Sequence, residues 1–370
     1  MLNVAIVGPG LVGSALIEQL AAHAQSPRFA ALPIAVVGLI NSKKMAVSAA
    51  PFTAASLADW KTAILGDNAA AAADLAQFAK QLSAIGGVTA VVDCTSSESV
   101  AQRYPEWLAS GLHVVTPNKK AFSGNEALYR RIRDLSTASP GGPSVYHEAT
   151  VGAGLPVLST LSDLVRTGDR IKRIEGVFSG TLSYLFNNFS APDAKDSSFS
   201  ECVAVAKASG YTEPDPRDDL NGMDVARKVT ILARAAGLSA VGLDTLAVEN
   251  IVPEPLRAVE SADEFMARLP EFDAHFKALN DDALASGSVL RYVGSVDAVD
   301  PTRCCVRLAR FPRDHPFAAL KGSDNIVAFT TERFPIPLIV QGAGAGAAVT
   351  AFGIFADLIK VCERFAVSFS

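Results

Sequence analysis

The first 120 residues alternate short, continuously apolar runs with segments of helical periodicity, and this alternation restricts the fold more than any other feature of the chain. The apolar runs are NVAIVG (3–8), PIAVVGLI (33–40), TAVVDC (89–94) and HVVTPN (113–118). Strands without polar positions are typical of parallel sheets that helices cover on both faces. The pattern therefore predicts an α/β fold with a Rossmann-type, doubly wound parallel sheet.

Between these runs, the spacing of apolar residues predicts helices from about Gly10 to Ala24, around Asn68 to Leu82 and near Val100 to Ser110. Five consecutive alanines at 69–73 are interpreted as part of the second helix, because alanine has the highest helix propensity. The Pro/Gly-rich segment SPGGPSV at 139–145 is interpreted as a boundary loop.

Beyond this loop, RIKRIEGVFSG (170–180) and VLRYVGSVDAV (289–299) alternate as half-exposed strands do, with long helical segments between them. They predict an α+β second domain with a sheet open on one face, a surface often used for dimerisation. The segment FPIPLIVQGAGAGAAVTAFGIFA (334–356) is uncharged over a length that could span a membrane. Its prolines and glycines favour instead a buried strand, a tight glycine turn and a helix.

This last segment resembles the first domain more than the second, so we expect the chain to return to the first domain at its end. The predicted organisation is a nucleotide-binding domain at 1–150, completed by 335–370, and a catalytic and dimerisation domain at 151–334. A length of 370 residues agrees with about two domains.

The net charge of −5 provides no general attraction for nucleic acid or for an anionic membrane. Small molecules and copies of the chain itself are therefore the expected partners. The five cysteines are scattered and lack CxxC spacing, which indicates reduced thiols rather than a zinc or redox site. The first residues lack the basic region of a secretory signal, so a cytoplasmic location is expected.

The motif GPGLVG at 8–13 follows the first predicted strand and opens a helix. In this context the G-x-G-x-x-G spacing permits a tight turn and a close approach of pyrophosphate to the helix N-terminus. An incidental glycine turn is the alternative. The predicted coenzyme contacts are Gly8, Gly10, Leu11, Val12 and Gly13.

The residues after the second strand favour NADP(H) over NAD(H). An NAD-specific site of this type has an acidic residue there, which binds the ribose 2′-hydroxyl. In this chain the strand is followed by NSKK (41–44), and no acid occurs between Glu18 and Asp59. Lys43 is the first candidate to neutralise a 2′-phosphate, and Lys44 is the second. The alternative is that both are ordinary solvated lysines of a loop.

Charge is concentrated in YTEPDPRDDLNGMDVARK (211–228), which carries five carboxylates and three cations in eighteen positions. Two prolines stiffen this segment and an apolar helical pattern follows, so we interpret the charges as positioned. With Asn221 as N-cap, Asp224 and Lys228 share one helix face. The apolar residues Val225, Val229 and Leu232 lie along the adjacent face. A surface salt bridge is the alternative interpretation of the pair.

Several long motifs carry a family resemblance in the expected order. They are VTPNKKAF, YHEATVGAGLPVL, EGVFSGTLSYLFN, AKASGYTEPDPRDDLNGMDVARK and QGAGAGAAVTAFG. The chain resembles the monofunctional homoserine dehydrogenases of the short, fungal type, without a kinase or ACT module. The resemblance implies reversible, NAD(P)-dependent interconversion of L-homoserine and L-aspartate 4-semialdehyde, a step toward threonine and methionine. It also implies a homodimer.

By resemblance, Lys228 is the acid and base toward the reacting oxygen, and Lys119 lies at the nicotinamide and substrate. Lys119 also follows a strand at the carboxyl edge of the predicted sheet, where such folds bind ligands. Asp224 is expected to orient Lys228 and bind substrate, while Glu213 and Asp219 hold the ammonium and hydroxyl ends of homoserine. The remaining acids and Arg217 of the stretch are expected only to solvate the loop.

The resemblance adds Thr181 as a substrate contact, and Thr95 and Ser96 as residues lining the nicotinamide side. A cap at the following helix is the alternative role for this Thr-Ser pair. The family's commoner asparagine before them is replaced by Cys94. In the glycine turn near the C-terminus, Gly346 is expected to approach the coenzyme, beside a role in close helix–sheet packing.

A monovalent cation, usually sodium, is implied at HEATVGAGLP. The expected ligands are Glu148 and the backbone carbonyls of Val151, Ala153 and Leu155, and oxygen ligands suit a hard cation. His147 has no second histidine or cysteine at metal spacing, so a hydrogen-bonded structural role is predicted for it.

Two rival functions stay open at this point. An aspartate semialdehyde dehydrogenase needs an activated cysteine beside a base, and the surroundings of the cysteines do not suggest one. A catalytically silent NADP-binding sensor would be expected to lose Lys119 or Lys228, and both are present. The sequence leaves open which of these lysines delivers the proton and whether threonine inhibits the enzyme.

Overall fold

The computed structural model describes residues 1–24, 33–66, 70–137, 141–191 and 197–366. The chain forms two compact units. The first unit is Met1–Gly154 with Gly346–Ser370, and the second unit is Leu155–Ala345. The expected return at residue 335 therefore occurs later, because the strand of the last segment belongs to the second unit and only the helix joins the first.

One sheet forms the centre of the first unit. Its strands are β1 (Leu2–Val7), β2 (Ile34–Ile40), β3 (Lys44–Val47), β4 (Ala71–Ala72), β5 (Val88–Asp93), β6 (His113–Val115) and β7 (Val145–Tyr146). Their order is β4-β3-β2-β1-β5-β6-β7. All neighbours from β2 to β7 in this order are parallel, whereas β3 and β4 are added antiparallel. The prediction of a doubly wound parallel sheet is confirmed.

Helices cover this sheet. They are α1 (Leu11–Ala24), α2 (Ala54–Ala58), α3 (Trp60–Ala63), α4 (Leu75–Ile85), α5 (Glu98–Ala101), α6 (Tyr104–Ala109), α7 (Lys120–Ser123), α8 (Glu126–Thr137) and, near the end of the chain, α16 (Ala347–Ala366). α1 and α16 pack side by side, and Gln19 Nε2 donates to Ala348 O (2.9 Å). Leu16 and Ile354 from these helices lie fully buried in one core with Ile6 and Val92 of the sheet.

Two helix predictions in this unit are wrong in detail. Within the alanine run, Ala71 and Ala72 form β4, which pairs with β3, and residues 67–69 lie outside the described part of the chain. The helix begins only after Asp74, whose side chain accepts from Ala76 N and Gln77 N. The single helix expected near residue 100 is instead α5 and α6, with Pro105 in the first turn of α6, a position that tolerates the missing N–H.

A second sheet forms the centre of the second unit. Its strands are β8 (Ile171–Val177), β9 (Ala247–Val248), β10 (Ser288–Asp297), β11 (Cys305–Pro312), β12 (Asp324–Thr331) and β13 (Leu338–Ala343), in the order β13-β12-β8-β10-β11-β9. The pairs are antiparallel except β9 with β11. A mixed, mainly antiparallel sheet with helices agrees with the expected α+β class.

The helices of the second unit are α9 (Val157–Arg166), α10 (Gly180–Phe189), α11 (Phe199–Ala208), α12 (Arg217–Leu220), α13 (Met223–Ala235), α14 (Ala262–Arg268) and α15 (Asp273–Ala285). α10, α13 and α15 contact β10. The prediction that β10 is half-exposed is therefore wrong, because its residues from Val289 to Val296 are all buried. Gly294 permits the close approach of α13, since an added Cβ would lie 2.3 Å from Val229 Cγ2.

β13 also differs from its prediction. It is an edge strand whose residues alternate between half-buried and exposed, rather than a buried strand. The uncharged segment that contains it divides into β13, a glycine turn and the first half of α16. Among the described residues, no helix is both long and apolar enough to cross a membrane.

The guanidinium of Arg291 on β10 is buried, with 1% of the residue exposed. It donates to backbone carbonyl oxygens, which are those of Phe186, Ser190, Leu290, Phe317 and Ala318 at 2.7–3.1 Å. Burial lowers its pKa to about 10. Because two of these acceptors lie at the end of α10, Arg291 ties that helix to the sheet.

Arg291→Lys should destabilise the protein strongly, because one ammonium cannot reach carbonyls on several sides and would leave them unsatisfied. We expect the free energy of unfolding to fall by roughly 2–4 kcal/mol in denaturant titrations. The matched control is Arg310→Lys on β11, whose side chain is 46% exposed beside Asp282. That change should cost at most about 1 kcal/mol. Equal losses in both variants would contradict the assignment.

Candidate coenzyme and substrate sites

The glycine motif forms a tight loop between β1 and α1. Gly8 has φ 74°, and its N–H donates to Ile40 O at the end of β2 (2.8 Å). An added Cβ at Gly8 would lie 2.4 Å from Thr95 Cγ2, and one at Gly13 would lie 3.0 Å from Gly8 O. Gly10 by contrast is exposed, with open space beside its Cα. Close packing within the fold therefore requires glycine at positions 8 and 13, whereas Gly10 leaves room for a ligand.

Leu11 and Val12 form the first turn of α1, and Leu11 is 86% exposed. The unbonded N–H groups of such a turn and the helix dipole attract anions. The turn after β2 lies next to this loop through the Gly8–Ile40 hydrogen bond. In it, Asn41 Oδ1 accepts from the N–H groups of Lys43 and Lys44 (both 2.8 Å). Lys43 is exposed at this position.

The loops after β5 and β6 carry the next predicted residues. Thr95 is packed against Gly8, as the glycine geometry shows, and Ser96 beside it is exposed. The cap of α5 is Ser97, whose side chain accepts from Val100 N, so neither Thr95 nor Ser96 fills that role. Lys119 is half-buried after β6, immediately before α7. The first unit thus brings the glycine motif, Thr95 and Ser96 together.

Gly346 opens α16, and its carbonyl accepts from the N–H and the hydroxyl of Thr350 (both 2.9 Å). Its φ of 111° is restricted to glycine, although no atom lies within 4 Å of an added Cβ. In the same turn, an added Cβ at Gly344 would lie 2.0 Å from the side chain of Asn325. Glycine is thus required at position 344 by close packing against Asn325 and at position 346 by the positive φ.

In the second unit, Lys228 lies in the middle of α13 with a side chain only 10% exposed. Its Nζ donates to Phe178 O (2.6 Å) and forms an ion pair with Asp224 Oδ2 (2.8 Å). The N-cap of α13 is Gly222 in a left-handed conformation, rather than Asn221, whose Oδ1 accepts from Met223 N. Lys228 is buried whereas the Asp224 side chain is 49% exposed, so the pair joins a buried ammonium to a carboxylate at the surface and differs from a fully exposed salt bridge.

The predicted substrate residues lie in the segment before α13. Glu213 is exposed, and its N–H donates to Asp219 Oδ2 (2.8 Å). Thr181 at the start of α10 is 9% exposed and donates to Tyr211 O (2.6 Å). Burial raises the pKa of Asp219, against the opposing effect of hydrogen bonds from Glu213 N–H and Thr181. Thr181, Asp219 and Glu213 are therefore neighbours in the fold.

The expectation that Asp215 and Arg217 only solvate this loop is wrong. Arg217 Nε donates to both carboxylate oxygens of Asp215 (3.0 Å), and its Nη1 donates to Val259 O (2.6 Å). The guanidinium also lies over the ring of Phe265. These contacts anchor the charged segment to the helical part of the unit, and the pKa of Asp215 is lowered mainly by Arg217.

Glu148 follows β7 in a short 3-10 helix and is 6% exposed. Its carboxylate lies 3.4 Å from the ammonium of Lys360, which also pairs with the buried Asp357 (2.9 Å). Asp357 Oδ2 accepts from Glu148 N (2.9 Å), and burial raises the Asp357 pKa to about 6. Ala153 is the one non-glycine residue of the described chain with positive φ (54°).

His147 stacks on Phe122, with ring centroids 3.9 Å apart, and its Nδ1 is 3.2 Å from Thr150 Oγ1. Burial lowers its pKa to about 4, so the ring is neutral at physiological pH. This environment agrees with the predicted structural role.

Comparison with known families bears on both units. A model described as "Homoserine dehydrogenase, NAD binding domain" matches residues 8–147, and one described as "Homoserine dehydrogenase" matches residues 156–359. The chain belongs to the homoserine dehydrogenase family. Members of this family are NAD(P)-dependent oxidoreductases that act on a CH–OH group.

The homoserine dehydrogenase of Paracoccidioides brasiliensis is 49% identical over 371 residues, which are 97% of this chain and 97% of that protein. A bifunctional aspartokinase/homoserine dehydrogenase of Arabidopsis thaliana is 49% identical over 365 residues, or 97% of this chain but only 38% of that protein. A crystal structure of a Candida auris protein of unknown function has a TM-score of 0.90 and 48% identity, and 98% of each chain is covered.

The sequence did not single out two residues that lie beside the family's motifs. Asn325 on β12 is fully buried and donates to Phe178 O (3.0 Å), the same oxygen that receives Lys228. Asp93 at the end of β5 is fully buried and binds the Thr95 N–H (2.8 Å). Nothing in the apolar strand pattern around Asn325 distinguishes this residue. Asp93 could have been identified, because an acidic residue at the end of a buried strand is unusual.

Alanine at Gly10 and at Gly8 should have different consequences. Gly10→Ala adds a methyl group in open space, so we expect unchanged thermal stability but coenzyme affinity at least about tenfold weaker, by steric exclusion of pyrophosphate. Gly8→Ala combines a positive φ with overlap onto Thr95, so both stability and affinity should fall. Differential scanning calorimetry and NADPH fluorescence titration measure the two effects. Tight coenzyme binding by Gly10→Ala would contradict the site.

Proposed function

We propose that the chain catalyses the reversible, NAD(P)-dependent interconversion of L-homoserine and L-aspartate 4-semialdehyde. The observation that carries this proposal is the buried ammonium of Lys228, held between Asp224 Oδ2 and Phe178 O in a member of this family. A lysine kept away from bulk water and held by two oxygen acceptors is suited to exchange a proton with a substrate oxygen.

The nicotinamide coenzyme supplies or accepts the hydride when it is bound. The chain must then stabilise charge on the substrate oxygen. We assign this task to Lys228, which donates a proton to the oxygen in aldehyde reduction and removes it in alcohol oxidation. Asp224 fixes the ammonium on the same helix face. Lys119, after β6, is assigned to the nicotinamide and substrate.

The substrate carries an ammonium group of its own, which needs a carboxylate in a partly desolvated position. The half-buried Asp219 supplies such a group, and the exposed Glu213 supplies a second carboxylate while its N–H holds the Asp219 carboxylate in place. Thr181 beside them can offer its hydroxyl to substrate. The ion pair between Asp215 and Arg217 supports this assignment, because it restrains the segment between Glu213 and Asp219.

The two rival functions fit less well. Burial raises the pKa of the Cys94 thiol above its usual range, and it raises that of Cys202 to about 11. Such thiols are protonated at neutral pH, and a thiolate is what an aspartate semialdehyde dehydrogenase needs. A silent sensor would be expected to lose Lys119 or Lys228, and both are present.

We assign coenzyme binding to the first unit, with NADP(H) favoured over NAD(H). Asn41 follows β2 where an NAD-specific site has an acid, and the exposed ammonium of Lys43 lies two residues further on. The hydrogen bond from Gly8 to Ile40 supports this placement, because it joins that turn to the phosphate loop.

A sodium ion is proposed at Glu148, with the carbonyls of Val151, Ala153 and Leu155. The buried carboxylate and the left-handed backbone of Ala153 fit a loop whose carbonyls are turned toward a cation. Oxygen atoms are the ligands that a hard cation prefers. Its role would be structural, since such an ion would share the Glu148 carboxylate with the ammonium of Lys360 and order the loop that follows Glu148.

We further propose that the second unit forms a homodimer in the cytoplasm. Phe334, Ile336 and Ile339, at and just before the start of β13, are 39%, 85% and 40% exposed, as expected of a surface that a second copy covers. All five cysteines are free thiols, which suits a reducing compartment. Light scattering measures the mass in solution, and a monomer at micromolar concentration would contradict the dimer.

Lys228→Met should abolish catalysis while coenzyme binding is retained, since methionine fills the buried volume without an exchangeable proton. In homoserine-dependent NADP reduction at alkaline pH, we expect kcat to fall by roughly 100- to 10,000-fold. The control Lys277→Met removes an exposed lysine that pairs with Asp281 and should leave kcat unchanged. Normal turnover by Lys228→Met would overturn the assignment of the proton donor.

Lys43→Glu should reverse the coenzyme preference, because the new carboxylate repels a 2′-phosphate and accepts a hydrogen bond from a 2′-hydroxyl. We expect KM for NADP to rise by about tenfold or more and KM for NAD to fall. Lys80→Glu, an exposed change of equal charge on α4, controls for the net charge of the protein. Equal effects of the two variants would show that Lys43 has no special position.

Replacing sodium chloride by choline chloride should lower the thermal stability, because a bound ion stabilises the folded state by about 1–3 kcal/mol at concentrations well above its Kd. Glu148→Gln should lose most of this response. Lys360→Met removes the cation beside Glu148 but keeps the carboxylate, so it should retain the response. Identical melting temperatures of the wild type in both salts would refute the ion site.

A further inference from the structure

The carboxylate of Asp93 lies at the carboxyl end of β5, and the residue has no exposed surface. It accepts from three neutral donors, Tyr104 Oη (2.5 Å), Thr95 N (2.8 Å) and Asn118 Nδ2 (2.9 Å). A buried carboxylate is costly unless such donors compensate for lost water. Burial raises the pKa of Asp93, and the three hydrogen bonds oppose that shift.

The first donor group belongs to the loop after β5. Thr95 N–H binds Asp93 Oδ1, and Thr95 Oγ1 in turn accepts from Ser97 N (3.1 Å). The methyl group of Thr95 fills the space beside Gly8, where an added Cβ would lie 2.4 Å away. The carboxylate therefore holds the loop against the glycine motif.

The second donor group belongs to the loop after β6. Asn118 Nδ2 donates to Asp93 Oδ2 and to Ser97 O (both 2.9 Å), while its Oδ1 accepts from Lys120 N (3.1 Å). Thr116 strengthens this link, since its hydroxyl donates to Asp93 O (2.8 Å). Asn118 thereby fixes the backbone on both sides of Lys119.

We propose that Asp93 is a positioning residue that sets the loop of Thr95 and the loop of Lys119 at one fixed separation. This inference rests on the proposed function, in which these loops meet the nicotinamide and the substrate. An amide at position 93 has one acceptor atom instead of two, and its NH2 group would face the donors Tyr104 Oη and Asn118 Nδ2. A carboxylate is thus the group that can receive donors from both loops.

The first experiment compares Asp93→Asn with Asp169→Asn. Asp169 is a buried acid of the second unit that accepts from Thr331 Oγ1 (2.7 Å) and Arg333 N (3.2 Å), so it controls for the loss of any buried carboxylate. We expect both variants to lose stability. Only Asp93→Asn should lower kcat, by roughly 10- to 100-fold through misplacement of the loops. KM for coenzyme should change less than kcat, because the hydrogen bond from Gly8 N–H to Ile40 O does not involve Asp93.

A second readout is independent of activity. Hydrogen exchange should accelerate in 94–97 and in 116–120 of Asp93→Asn, and in neither segment of Asp169→Asn. Asn118→Ala removes the hydrogen bonds of Asn118 to Asp93 and to Ser97 O but keeps the bond from Thr95 N–H to Asp93, so exchange should accelerate in 116–120 while the Thr95 amide stays protected. It also replaces Asp93→Asn as the test variant if that protein does not fold.

The outcomes separate this inference from the proposed function. Unchanged exchange in both loops of Asp93→Asn, or a kcat equal to that of Asp169→Asn, would overturn the positioning role. If the wild type does not oxidise homoserine, the proposed function fails, and the exchange data alone then decide whether Asp93 joins the loops. Faster exchange throughout the first unit would indicate a purely structural residue and would also overturn the proposal.

Discussion

The buried ammonium of Lys228 is the interaction on which the arrangement of the second unit depends. Its desolvation is compensated by Asp224 on the same helix and by Phe178 O after β8. Phe178 O also accepts from Asn325 of β12, so the helix α13 and the strand β12 donate to one acceptor. Asn325 in turn occupies the space beside Gly344, which explains why the glycine turn admits no side chain at that position. The burial of Lys228 and the close packing at Gly344 therefore both involve Asn325, which shares the acceptor Phe178 O with Lys228.

In the first unit, the buried group that joins separate segments is a carboxylate, that of Asp93. Parallel strands end at the same edge of the sheet, and Val7 lies opposite both Ile40 and Asp93 in the register. The buried carboxylate of Asp93 joins two of the loops that leave this edge, since it accepts from Thr95 N and from Asn118 Nδ2. Neutral donors around a buried acid thus link two loops that are distant in the sequence.

The sequence predicted the parallel sheet because continuously apolar strands between helices are typical of sheets buried on both faces, and it predicted the pairing of Asp224 with Lys228 from helical spacing. The sequence-based prediction was wrong where the residues that surround a segment come from distant parts of the chain. The alanines at 71–72 have high helix propensity, yet they pair with β3 because Asp74 begins the helix after them. β10 has the polar pattern of a half-exposed strand, yet helices contact it and Arg291 satisfies carbonyls inside the unit.

The sequence by itself determined the class of the first sheet, the glycine loop, the helix face of Lys228 and the family, because these depend on periodicity and on local motifs. Tertiary structure alone decided that Lys228 is buried, that Arg217 anchors the charged segment, that β13 is an edge strand and that Asp93 joins two loops. The physical reason is that burial and hydrogen bonding depend on partners far away in the chain. Asp93 and Asn118 are 25 residues apart, and Phe178 and Asn325 are 147 apart.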